Sequence, residues 1–279
     1  MPKYIRELRM GRPKMFKTGA VVGTYPKPLL YLGFDRDGIS IIPRASYKAE
    51  QSAVVMDCSY EDITFAKTGT MAQEIAKPTH SKITVFDYTQ DMPLELMLTY
   101  TPQSAQLAAQ QFQAPLTGDY NQLVAYYRKT GSIPWKTIVF DSMTGYGEVI
   151  KMHLAQANPN AMADARQWAY MTGEKQRQLC LSMTGLPAHI VVIFHTTEPE
   201  VNEETKMITE LPNAYAKSFR DVVGGLFSQY FYATKEGGKP VIKNADHMFV
   251  KGVGSRWPAG LAATVAPDFN SIYGRENLL

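Results

Sequence analysis

The stretch Gly11-Arg12-Pro13-Lys14-Met15-Phe16-Lys17-Thr18-Gly19 carries residue types that can hold a phosphate chain. In a loop of the form G-x-x-x-x-G-K-[ST], backbone amides cradle the phosphates, the lysine reaches the β- and γ-phosphates, and the hydroxyl ligates Mg²⁺. Gly11, Lys17 and Thr18 fall at the required spacing, and Phe16 stands where the sixth-place glycine belongs. Glycine there lets the backbone wrap a phosphate closely and accepts torsions that phenylalanine disfavours. The plainer alternative is a solvated basic turn, in which Arg12, Lys14 and Lys17 all sit comfortably.

Four other places carry matching chemistry. Asp141 ends the run Thr-Ile-Val-Phe-Asp, and a carboxylate at the end of a buried strand suits a Mg²⁺ ion bound to nucleotide phosphates. Asp35 and Asp37, in Asp-Arg-Asp-Gly, offer a base to orient an attacking water, with Asp37 the one assigned; the same residues also suit a polar turn. His195, followed by Thr196, could sense a γ-phosphate or be a structural histidine. Arg256, in Lys-Gly-Val-Gly-Ser-Arg-Trp-Pro, fits an arginine supplied to a neighbouring subunit's nucleotide, with Lys217 as the alternative. His80, His153, His189 and His247 show no zinc-ligand spacing, and no covalent-nucleophile signature occurs.

The elements that must position these residues are legible as apolar runs between breakers. Residues 4–10, 29–34, 82–88, 136–141 and 189–200 read as strands, and 225–234 and 246–252 as later ones with the turn Lys-Glu-Gly-Gly-Lys-Pro between them. Residues 17–26, Lys-Thr-Gly-Ala-Val-Val-Gly-Thr-Tyr-Pro, read as a short helical stretch stopped by Pro26 and Pro28, and 164–183 as a long helix. Helical spacing over 103–128 is expected to break at Pro115 and Gly118. Apolar strands alternating with helices imply an α/β fold with a mostly parallel sheet covered on both faces. Ligands bind such sheets beyond the carboxyl ends of the strands, where the loop, Asp35/Asp37, Asp141 and His195 all fall.

Composition limits the alternatives. The chain has 279 residues, 45% of them hydrophobic and 20% charged, as expected of a folded globular chain. A net charge of +3 does not by itself demand nucleic acid. Basic residues of the last third, among them Arg220, Lys235, Lys239 and Lys251, alternate with Phe219, Tyr230, Phe231, Tyr232, Phe249 and Trp257, and could bind single strands through phosphates and stacking. The favoured reading for most of them is that the aromatics face the core and the lysines face solvent. Two cysteines, Cys58 and Cys180, form no metal or disulfide pattern, and a signal-like or membrane-spanning apolar run is missing, so a cytoplasmic location is expected.

Together these stretches resemble the RecA-like P-loop ATPases of bacteriophages, a group that includes single-strand annealing recombinases. Gly-Arg-Pro-Lys-Met-Phe-Lys-Thr is similar to that group's G-x-P-K-x-G-K-T loop apart from Phe16, and Phe-Asp-Arg-Asp-Gly to its D-x-E-G turn with Asp37 in place of Glu. Lys-Thr-Ile-Val-Phe-Asp-Ser resembles its metal-associated strand, and the likeness extends loosely over residues 5–274. The resemblance implies a single RecA-like domain over residues 1–279, with antiparallel strands toward the C-terminus. It implies ATP held by residues 11–19, Mg²⁺ held by Thr18 and Asp141, and catalytic roles for Lys17, Asp37, Asp141, His195 and Arg256. It further implies a homo-oligomer acting on single-stranded DNA in phage recombination or replication. The departures at Phe16 and Asp37 open a second reading, a non-hydrolysing degenerate loop in a structural or DNA-binding oligomer.

Overall fold

A computed structural model describes residues 4–35, 60–89, 114–157, 164–198, 200–201, 208–244, 254–255 and 261–274. In chain order the strands are β1 (Arg6–Gly11), β2 (Leu29–Gly33), β3 (Ile63–Ala66), β4 (Ile83–Asp87), β5 (Thr137–Asp141), β6 (His189–His195), β7 (Glu200–Val201), β8 (Ile208–Thr209), β9 (Gln229–Glu236), β10 (Lys239–Lys243), β11 (Gly254–Ser255) and β12 (Thr264–Val265). The helices are α1 (Lys17–Thr24), α2 (Met71–Ile75), α3 (Ala114–Thr130), α4 (Met143–Ala157), α5 (Ala165–Thr184), α6 (Lys217–Arg220) and α7 (Phe269–Tyr273).

Among the described residues ten strands form one sheet in the order β12-β10-β9-β1-β6-β5-β2-β4-β3, with β11 on β9; β7 and β8 pair separately. Every pair from β9 through β1 to β3 is parallel, and β10, β11 and β12 add antiparallel. The protein is thus a mixed α/β fold with a mostly parallel sheet. The central strands are near-continuous apolar runs because both their faces are covered. Strand alternation sorts them into two cores. Leu8, Met10, Leu30, Leu32, Ile138, Phe140, Val192 and Phe194 face α3, α4 and α5, packing with Leu123, Val149 and Met183. Ile5, Leu29, Tyr31, Val139, Val191 and Ile193 face the opposite way, onto Val21 and Val22 of α1 and Ile272 and Tyr273 of α7.

Two expectations from the sequence need correction. The helix over 114–130 does not break at Pro115 or Gly118. Pro115 falls in the first turn, where its missing N–H has no intrahelical partner to lose. Gly118 costs the helix about 1 kcal/mol, and tertiary bonding holds it: the next residue, Asp119, is fully buried and accepts from the amides of Gly69 (2.8 Å) and Met71 (3.0 Å) and from the Tyr88 hydroxyl (2.9 Å). Asp119 thereby caps the short helix α2, whose own Thr70 makes no side-chain cap. The second correction concerns the late hairpin. Its turn is Gly237-Gly238, both at positive φ, and its second strand is Lys239–Lys243. Two adjacent left-handed torsions are what a tight hairpin turn requires, and glycine supplies them without steric cost. The expected strand over 246–252 lies outside the described residues. Phe219, Tyr230, Phe231 and Tyr232 are buried, in keeping with the core reading of these aromatics. Among the described residues no helix is long and apolar enough to cross a membrane.

Candidate functional site

The first residue of interest, Gly11, ends β1, and residues 12–16 carry the chain directly into α1. Arg12, Pro13 and Lys14 are exposed, Met15 and Phe16 partly covered, and Lys17 to Gly19 buried. Lys14 (φ 63°) and Phe16 (φ 61°, ψ 24°) both take left-handed torsions. Phe16 therefore adopts the backbone conformation for which a glycine would be the ordinary choice. Its ring lies against Gly19: a Cβ built on Gly19 would stand 2.7 Å from the ring. As the first turn of a helix, the amides of Lys17, Thr18 and Gly19 have no intrahelical acceptors and make the helix end locally positive.

Lys17 Nζ donates to the carbonyls of Gly11 (2.8 Å) and Arg12 (2.7 Å), so its ammonium sits within the turn. Burial pushes Lys17 down to about 8, although the Asp141 and Asp35 carboxylates act to hold it charged. Thr18 Oγ1 donates to Asp141 Oδ2 in a short hydrogen bond, and the Tyr31 hydroxyl donates to the same oxygen at 3.0 Å. Asp141 is buried. Burial raises its carboxyl pKa, the Thr18 bond opposes that rise, the Asp35 charge adds to it, and Lys17 and Tyr31 oppose it. The Asp141–Ser142 peptide is cis. Ser142 starts the next helix, its hydroxyl accepting from the Gly145 amide at 3.0 Å.

Around this centre stand two further pairs. His195 Nε2 bonds Asp35 Oδ2 at 2.9 Å. Arg12 Nε donates to Glu210 Oε1 at 2.8 Å, and Tyr232 donates to the other oxygen of Glu210 at 3.0 Å. Glu210 is fully buried, so the partly exposed Arg12 is tied back to the protein.

The structure thus brings Gly11 to Gly19, Asp141 and His195 to one end of the sheet. Asp37 and Arg256 lie outside the described residues, and Lys217 is exposed at the start of α6. Sequence reasoning missed Tyr31 and Glu210 and passed over Asp35. Alternation could have found the first: Tyr31, like Asp141, occupies the odd-numbered face of its strand, the face onto which α1 packs. Glu210 had no comparable signal. Its role depends on a contact made 198 residues from Arg12 in sequence. Among the described residues no three His, Cys, Asp or Glu side chains converge as a metal cluster.

No protein-family model matches the chain, and no curated protein matches it. Among solved structures, flagellar accessory protein FlaH from Methanocaldococcus jannaschii aligns over 94% of this chain and 85% of its own at 7% identity, with a TM-score of 0.29. A likeness of that size carries no weight for either the site or its chemistry.

Proposed function

We propose that the site binds a nucleoside triphosphate, ATP by the sequence resemblance, together with Mg²⁺, and hydrolyses it as a RecA-like P-loop ATPase. The observation that carries this reading is the meeting of Lys17 and Thr18, at the start of α1, with Asp141, which lies 123 residues beyond Thr18. A lysine and free helix amides favour an anion, while a buried carboxylate beside them repels one unless a cation stands between. The Thr18 hydroxyl and the Asp141 carboxylate are hard oxygen donors. They fit a magnesium site completed by phosphate and water oxygens, since Mg²⁺ is usually held by one or two protein groups in this way. When bound, such an ion neutralises charge on the phosphates. Lys17 would exchange its two carbonyl acceptors for phosphate oxygens, and the α1 amides would hold the chain behind it.

The second reading, nucleotide binding without turnover, is favoured by Phe16, whose side chain adds bulk where the loop would approach the ligand. Assembly into a homo-oligomer and action on single-stranded DNA in a phage setting rest on the sequence resemblance, and strongly salt-dependent strand binding is what a phosphate-tracking surface should give.

The test is titration of a fluorescent ATP analogue with and without Mg²⁺, paired with phosphate release. Wild type should bind in a Mg²⁺-dependent way. Lys17→Ala, which removes charge-assisted hydrogen bonds, should bind about 10- to 100-fold more weakly. A wild-type protein that shows no binding at millimolar nucleotide sinks the reading. Binding without phosphate release, with release gained in Phe16→Gly, selects the second.

A further inference from the structure

The register of the sheet shows what stands over Asp141. Gly33 of β2, Asp141 of β5 and Ile193 of β6 form one row across three adjacent strands. His195, the last residue of β6, and Asp35, past the end of β2, each lie two residues beyond that row. Their 2.9 Å contact therefore spans the end of β5, bridging two strand spacings of about 4.8 Å each. His195 is also the register partner of Gly11, the residue from which the loop departs. His195 thus stands between the start of the loop and Asp141, Asp35 stands on the other side of β5, and the bridge crosses the strand end beside the Thr18–Asp141 pair.

The carboxylates of this region differ in how they are engaged. Asp141 is buried under the Thr18 and Tyr31 hydroxyls. Glu7 is fully buried against Arg9. Asp87 accepts the amide and hydroxyl of Thr89. Asp35 retains 24% of its side-chain surface, as does His195, so a water can reach it. The histidine is held in place by its backbone: its amide donates to Thr144 Oγ1 at 3.1 Å and its carbonyl accepts from the Asn213 amide at 2.8 Å. With a proton on Nε2 the ring donates to the carboxylate and aims it. The ring's Nδ1 is buried without a hydrogen-bond partner among the described residues, which leaves Asp35 as the pair's solvent-facing base.

We propose that Asp35 is the catalytic base of nucleotide hydrolysis and that His195 is its positioning residue, an assignment that rests on the triphosphate reading above and moves the base from Asp37 to Asp35. In the step, a water oxygen bonds to the γ-phosphorus as the bond to the β,γ-bridging oxygen breaks. The bonding pair leaves on the diphosphate, and the water proton passes to Asp35, which then releases it to solvent.

The test measures nucleotide binding and phosphate release separately on the full chain, with circular dichroism confirming that each variant is folded. Asp35→Asn should bind the ATP analogue within about 3-fold of wild type and lose about 100-fold or more in kcat. Asp37→Asn should keep kcat within about 3-fold. His195→Ala should lower kcat about 10-fold with KM unchanged, and His195→Gln, whose amide can still donate to Asp35, should recover most of that loss. The assignment is overturned if Asp37→Asn abolishes turnover while Asp35→Asn does not. It is equally overturned if Asp35→Asn loses binding in proportion to rate, or if wild type binds nucleotide and releases no phosphate. Wild type without binding overturns the triphosphate reading itself, and the binding titration tells the two failures apart.

Discussion

Phe16 combines two costs that a glycine would avoid: a left-handed torsion worth about 1–2 kcal/mol and a ring that must be stored somewhere. The ring is stored on Gly19, a helix position where alanine would otherwise be preferred by about 1 kcal/mol. The two residues are therefore coupled, and the coupling has a sign. Gly19→Ala in the wild-type chain should destabilise by about 1 kcal/mol or more, because the new methyl meets the ring and one of them must move. In a Phe16→Gly background the same change should stabilise by up to about 1 kcal/mol. Urea titrations of the four proteins give the double-mutant cycle directly. Equal effects of Gly19→Ala in both backgrounds would show that ring and helix are not in contact.

At the scale of elements, the seam between β1 and β6 begins with a histidine used as an acceptor. The Ile5 amide donates to His189 Nδ1 at 3.1 Å, so the imidazole must be neutral. Burial lowers its pKa to about 4, with Arg6 and Lys136 adding to the effect. The unfolded chain then takes up a proton near pH 6.5 that the folded chain refuses until about pH 4. Stability contributed by this group is intact above pH 6.5 and declines as pH falls, by about 3 kcal/mol once pH reaches 4. His189→Gln, which keeps an acceptor and cannot titrate, should flatten that decline between pH 7 and 4.5 in denaturant titrations. A variant with the same slope as wild type would place the titration elsewhere. This seam also shows what sequence could and could not deliver. Apolar runs such as Thr137–Asp141 and His189–His195 announce buried parallel strands, because two covered faces leave no polar alternation. The strand order is set by contacts between segments that share no local signal, so pairing β1 with β6 was not legible. Nor was the uninterrupted α3, whose Gly118 is tolerated because the neighbouring Asp119 is bonded to α2 and Tyr88. For the site, the loop spacing and Asp141 could be read from residue types. The Asp35–His195 bridge could not, since it depends on two strand ends being held one strand apart.

Across the whole molecule, a charged network fixes the C-terminal segment to the strand that leads into the loop. Arg9 and Glu7 are both fully buried. Arg9 donates to Glu7 (2.6 Å), to the Pro267 carbonyl (3.0 Å) and to the Tyr25 hydroxyl (2.8 Å). Tyr273 of α7 donates to the other Glu7 oxygen at 2.8 Å. Removing one ion of such a pair strands the other in a low-dielectric interior, so Arg9→Met should cost about 3–5 kcal/mol. Replacing both, as Glu7→Leu with Arg9→Met, removes the stranded charge, and the double variant should be more stable than Arg9→Met alone. Chemical denaturation measures this, and a double variant weaker than the single would show that the network acts through its remaining hydrogen bonds and not its charge.

The pairing of β1 with β6 and β9 also has a consequence for biosynthesis. The strand that launches the loop is made well before its neighbour β6: the histidine that bonds Ile5, just ahead of β1, lies 184 residues later. At about 5–20 residues per second, β1 waits roughly 10–40 s for its first neighbour. Throughout that interval an apolar strand edge, with its buried-to-be Glu7 and Arg9, is open to other chains. Aggregation during synthesis, and the demand for a chaperone to hold this strand, should therefore depend on how quickly the ribosome reaches β6.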